Sequence, residues 1–310
     1  MVSTPLAKRA DEPAPLNTLF EGEAVGAGAS SSAIRYHYDV GADFYGMWLG
    51  DDRIYTAAKF HDPITGRKIR STLAEAQSAK VEYHLDAIRA GVGSRVLDVG
   101  CGWGGFLEAA LDKRGVAAAV GVTLSRDQYQ FISSRNRKNL SVHLQSYETF
   151  EAEDAFNGVV TIGALEHFVR PELSADQRLA VYEGYFDRCH KWLKRDGRIS
   201  LQAITWGAVN RDKQLDYLPL DIFPETDPPT IGELITASSG RFELLHLENS
   251  ADDYTETLIA WRERLHSQEQ AIKRRIGPER FEFYDRYMRR AIAGFRRRRM
   301  LLCRFVFRRR

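Results

Sequence analysis

This sequence predicts an α/β protein built on a doubly wound parallel sheet, and three observations carry that prediction. Short β-rich runs, Arg95 to Val99, Ala118 to Thr123, Ser141 to Gln145, Gly158 to Ile162 and Arg198 to Ala203, alternate with helical segments at Phe106 to Lys113, Arg126 to Asn136 and Leu179 to Leu193. A glycine-rich turn, Gly100-Cys-Gly-Trp-Gly-Gly, separates the first run from the first of those helices. The chain has 310 residues, 44% of them hydrophobic, which is enough for a sizeable core.

Residues 1–33 are rich in Ala, Pro, Gly and Ser with little periodicity, and are expected to form a flexible tail. An aromatic-rich stretch and a helical pattern near Leu73 to Ala90 predict a helical cap over 34–92, and the alternating core follows over 93–206. Residues 207–240 are Pro- and Asp-rich and are expected to form a lid over the sheet. Residues 241–310 are expected to supply a sheet edge and basic helices, with strong helical periodicity from Tyr254 to Ile292.

No apolar stretch approaches the roughly 20 residues needed to cross a bilayer, and Met1 to Phe20 has no apolar secretory segment. The expectation is a soluble, cytoplasmic protein. Cys101, Cys189 and Cys303 lie far apart, which suits neither a disulfide framework nor a CxxC metal site. The net charge of +2 hides an asymmetry, because residues 262–310 hold 17 Lys and Arg against 5 Asp and Glu. Nucleic acid, an anionic membrane, an acidic substrate or a solvated helix face all fit so basic a segment.

The turn after the first strand carries the chemistry. Val96-Leu-Asp-Val-Gly-Cys-Gly-Trp-Gly-Gly places Asp98 two residues before Gly100, with Gly102 and Gly104 next. Glycines there let backbone approach a ligand and expose helix N-terminal amides. A carboxylate at that turn accepts bonds from a cationic amino-acid ligand and repels a pyrophosphate, which favours S-adenosylmethionine (SAM) over NAD. Thr123, Leu124 and Gln128 end the second strand, where a ribose is expected, and Tyr147 and Glu148 follow the third, where an adenine fits.

Seven motifs in order, Tyr36-His-Tyr-Asp-Val-Gly, the glycine turn, Gly121-Val-Thr-Leu-Ser, Gly163-Ala-Leu-Glu-His-Phe, Ile222-Phe-Pro-Glu, Asp253-Tyr-Thr-Glu-Thr-Leu and Gly294-Phe-Arg-Arg-Arg, resemble those of the cyclopropane fatty acid and mycolic acid methyltransferase family. The resemblance runs from about residue 34 to the C-terminus and implies a class I SAM-dependent methyltransferase over 34–310. It also implies cofactor contacts at Tyr55 and Thr56. Members of that family methylate an unactivated alkene, and ring-forming members hold a bicarbonate base through a Cys, a Glu, a His and a Tyr. In this chain Ala57 stands at the Cys position and Gln202 at the His position, while Glu166 and Tyr254 remain.

Ring closure is therefore not expected, and Glu166 is expected to act as general base itself. Its neighbour His167 is expected to point elsewhere and pack. Trp206, 40 residues after Glu166, is placed to face a carbocation with its ring. A Glu base and an aromatic at this spacing also resemble the isoprenyl diphosphate C-methyltransferases. On that reading Arg35 and Lys59 hold a diphosphate, with Mg²⁺ a possible companion, and Tyr36, Gln202 and Phe223 line the substrate site. No dedicated metal-ligand pattern is visible. Geranyl or farnesyl diphosphate is the expected substrate; the alternative is a methyltransferase or cyclopropane synthase acting on unsaturated fatty acyl lipids, docked through the basic C-terminus. Glu166 and the cofactor turns argue against a silent SAM- or nucleic-acid-binding protein.

Overall fold

The computed structural model describes residues 27–30, 41–207, 211 and 225–310. Arg35, Tyr36, Phe223, most of the expected tail and residues 208–210 and 212–224 of the expected lid lie outside these residues.

The chain opens on α1 (Ala42–Leu49) and α2 (Leu73–Ala87), then alternates β1 (Arg95–Val99), α3 (Gly105–Arg114), β2 (Ala118–Thr123), α4 (Arg126–Ser134), β3 (Leu140–Leu144) and β4 (Phe156–Ile162). A 3-10 turn (Leu165–His167), α5 (Ala175–Trp192) and the long β5 (Leu193–Trp206) follow. The remainder comprises α6 (Ile231–Ser238), β6 (Phe242–Asn249), α7 (Ala251–Ser267), α8 (Glu269–Ile276), α9 (Pro278–Arg296) and β7 (Met300–Arg309). The seven strands form one sheet in the order β3-β2-β1-β4-β5-β7-β6. It is parallel from β3 to β5, and β7 runs antiparallel to both of its neighbours.

β1, β2 and β4 are almost wholly buried, because helices cover both faces of the sheet, and that is why they read as continuous apolar runs. The helices start where the sequence supplies oxygen caps. Thr72 with Glu75, Ser174 with Gln177 and Thr230 with Glu233 form reciprocal capping boxes, and Ser125 caps α4, each worth about 1 kcal/mol.

Residues 226–229 of the expected lid are buried, and α6 sends Leu234 and Ala237 into the same core as Tyr182 and Phe186 of α5. Of the basic C-terminal residues, Arg304 is fully buried opposite Gln202, because β7 lies inside the sheet between β5 and β6. The helical stretch from Tyr254 to Ile292 is broken at Gln268 and at Gly277-Pro278 into α7, α8 and α9. No helix among the described residues is long and apolar enough to cross a membrane, and all three cysteines are free and buried.

Candidate active site

A cavity of about 630 Å³ opens at the carboxyl ends of β1, β2 and β4, where doubly wound sheets bind ligands. Gly100, with φ of +78°, forms its floor; a Cβ there would stand 2.4 Å from that of Ala164. The positive φ and the close approach of this turn to Ala164 therefore need glycine. Gly102 also lines the cavity, whereas Gly104 caps α3 from behind, against Ile132, and Gly105 takes the lining position.

Asp98 reaches the cavity from β1 with Oδ1 buried and without a hydrogen-bond partner. Burial pushes its carboxyl up to about 7 against the opposing pull of Lys80. An orphaned acceptor of this kind fits a cationic ligand group. At the other end Thr123 Oγ1 donates to Gln128 Oε1 (2.7 Å), and Tyr147 stacks on Phe168 at 4.2 Å. Leu124, Glu148, Tyr55 and Thr56 complete the expected cofactor set.

A second, smaller cavity of about 70 Å³ joins the first through Tyr55, Thr56, Gly163 and His167, which border both. Its other walls include Glu166, Ile204, Pro228, Tyr254, Tyr287, Ala291, Phe295 and Met300, so it is mainly apolar. Gly163, with φ of +68°, ends β4 and turns the chain into the 3-10 segment; a Cβ there would meet Thr56 Cγ2 at 2.7 Å. That turn brings Glu166 and His167 to the same side, contrary to the strand-like reading that sent His167 away. His167 Nδ1 meets Thr226 Oγ1 at 3.0 Å, and burial holds its imidazole down to about 4.

Glu166 is 5% exposed. Oε1 accepts the backbone N–H of Ile204 at 2.6 Å, and Oε2 is buried without a partner. Burial pushes its carboxyl up to about 7, outweighing the opposing effect of that N–H. Tyr254 reaches the same cavity from α7, packed on Phe295.

Three expected substrate or cation contacts turn away. Lys59 donates Nζ to Glu248 Oε1 at 2.6 Å, sits over Tyr83 and borders neither cavity. Gln202 has both ends of its amide engaged, donating to Ala57 O and accepting from Arg304 Nε (2.7 Å), and borders neither cavity. Trp206 also borders neither; its indole N–H donates to Asp227, which Arg211 holds in turn.

These residues anchor a loop. Residues 55–61 are fastened by Thr257 to the Ala58 N–H, by Asp253 to the N–H groups of Phe60 and His61, and by Arg304 to the Ala58 carbonyl. Arg304 also donates to Glu248 (2.8 Å) and Asp253 (3.1 Å). Burial alone would raise the Glu248 carboxyl, but Arg304 and Lys59 outweigh it and hold the group down to about 2.

Sequence reasoning missed Lys80, which lines the larger cavity from α2. Its signal was available: Gln77, Lys80 and His84 put polar groups at helical spacing on the buried face of that helix. Among the described residues no group of three or more His, Cys, Asp or Glu gathers as a metal site.

The comparisons with known proteins agree with this geometry. The family described as mycolic acid cyclopropane synthetase matches residues 27–305. Cyclopropane mycolic acid synthase 2 of Mycobacterium bovis is 28% identical over 88% of this chain and 93% of its own length. Cyclopropane mycolic acid synthase MmaA2 of Mycobacterium tuberculosis is 30% identical over 83% and 88%. The solved structure of that species' MmaA2 superposes with a TM-score of 0.79 and 26% identity, covering 91% of this chain and 99% of the other. A geranyl diphosphate C-methyltransferase from Streptomyces coelicolor, 15% identical with a TM-score of 0.63 over 90% and 98%, shares the fold. With a cofactor cavity at the glycine turn and a carboxylate beside it, the chain belongs to the mycolic acid cyclopropane synthetase family and is a SAM-dependent methyltransferase.

Proposed function

We propose that this enzyme methylates a carbon–carbon double bond within the aliphatic chain of a lipid and leaves a methyl-branched alkene. The observation that carries the reading is Glu166, a carboxylate with one free oxygen in a mainly apolar cavity that opens onto the cofactor cavity. Bound SAM would supply an electrophilic methyl group, its S–CH₃ bond breaking with the electron pair kept by sulfur so that S-adenosylhomocysteine is the leaving group. The π electrons of the alkene form the new C–C bond, leaving the neighbouring carbon positive; Glu166 Oε2 takes a proton from an adjacent carbon, and that C–H pair becomes the new double bond. His167, held near 4, is the weaker base of the two. The ring product named for the cyclopropane synthases is disfavoured because Ala57 has no side-chain donor and the Gln202 amide is occupied.

A lipid substrate has two further supports. The wall of the small cavity offers no Lys or Arg among the described residues, and Lys59 is committed to Glu248. On α9, Tyr287, Ala291 and Phe295 face the small cavity, while Arg286 and Arg290 of that helix and Arg297 just after it stand exposed and pair with no carboxylate among the described residues. Such a stripe suits an anionic lipid surface.

The test supplies purified enzyme and SAM with anionic vesicles of unsaturated phospholipid or with geranyl diphosphate, and follows a mass gain of about 14 Da, one CH₂ added at the alkene. The expected product arises from the vesicles and still takes up hydrogen on catalytic hydrogenation, as an alkene must. Product from geranyl diphosphate alone would overturn the lipid substrate, and a hydrogen-resistant product would overturn the alkene.

A further inference from the structure

Lys80 is 2% exposed, yet its ammonium borders the cofactor cavity. Nζ spends one N–H on Thr56 Oγ1 at 2.8 Å and forms no ion pair within 4 Å among the described residues. Thr56 belongs to the wall where the two cavities meet, so Lys80 lies at that joint, away from Tyr147, Glu148 and Gln128 at the ends of β2 and β3. Asp98 lines the same cavity near enough for its charge to act on Lys80, and its Oδ1 has no partner. The wall thus presents one buried cation and one buried carboxylate, each with bonding capacity to spare.

Only one part of SAM mirrors that pair. Its adenosine half carries no charge, whereas its amino-acid half ends in an ammonium and a carboxylate. We infer that Lys80 is the receptor for the methionine carboxylate of the cofactor, with Asp98 answering the ammonium beside it, and that it selects cofactor and product over analogues lacking the carboxyl group. A charge-assisted bond formed out of water is the strong kind, and its loss strands the ligand's anion.

The titration of the two side chains fits this role. Burial draws the Lys80 ammonium down to about 7, with Arg304 adding to the effect, while burial pushes Asp98 up to about 7. A carboxylate arriving at Lys80 and an ammonium arriving at Asp98 each stabilise the charged form of the group they meet. The inference stands on the cofactor alone and is independent of the lipid reading.

Calorimetry on the full chain tests it with two ligands, S-adenosylhomocysteine and its analogue lacking the carboxyl group. Wild-type protein is expected to bind S-adenosylhomocysteine at least tenfold tighter, and Lys80→Met to lose at least tenfold affinity for it while holding the analogue within about threefold. Equal losses for both ligands would make Lys80 a support for Thr56 and nothing more. Unchanged affinity for both would remove it from the site. If Lys80→Met does not fold, a wild-type preference under twofold overturns the inference without any variant.

Discussion

The two cavities are built in different ways. The cofactor cavity takes most of its wall from short contiguous turns at the ends of β1, β2 and β4, where backbone and glycine do much of the shaping. The substrate cavity is assembled from Thr56, Glu166, Ile204, Tyr254 and the α9 residues, which are far apart in sequence, and its key loop is fastened by Arg304 at the other end of the chain. A site built from local turns depends on the residues at the turns. A site assembled from distant parts depends on whatever locks those parts together, so remote substitutions should damage it first.

The sharpest way to break that contrast is Arg304→Met. Removing the guanidinium leaves Glu248 and Asp253 buried with an ion partner lost, and frees the Ala58 carbonyl. A loss of about 3–5 kcal/mol in urea unfolding is expected. A loss below about 1 kcal/mol would mean that the buried charges are not what holds the two halves together.

Glu166→Gln should be the next largest, and here the sign depends on pH. The folded protein holds the Glu166 proton up to about 7, against 4.5 for the ordinary group. The native state therefore binds more protons than the unfolded chain between those values, and wild-type stability falls as pH rises through that window. Gln abolishes this fall, so the variant should gain about 3 kcal/mol on wild type between pH 4.5 and pH 8. A stability difference that stays flat with pH would show that Glu166 is not held neutral by its surroundings.

The same contrast explains how much of the molecule was legible in its sequence. β1, the glycine turn, Thr123 to Gln128 and Tyr147–Glu148 were readable as neighbours because each is a contiguous piece, and most of their residues line one cavity. Lys59 was misread because its partner, Glu248, lies 189 residues away and nothing local announces it. Gln202 was misread for the same reason, its amide being held by Arg304, 102 residues on. The basic C-terminal segment was left open because its charge was read as a whole, although Met300-Leu-Leu-Cys-Arg-Phe-Val-Phe is an apolar run of strand length that outweighs its single charge. His167 went astray on local geometry, since the positive φ of Gly163 replaces a strand by a turn.

The central claim is that the free oxygen of Glu166 takes the proton that methyl transfer makes acidic. Turnover and S-adenosylhomocysteine affinity of the Glu166→Gln variant, measured side by side with wild type on unsaturated anionic vesicles, test it most directly. Affinity should stay within about twofold while product formation falls by about 10²-fold or more, the range expected for loss of a general base. Wild-type turnover in that variant would contradict the account.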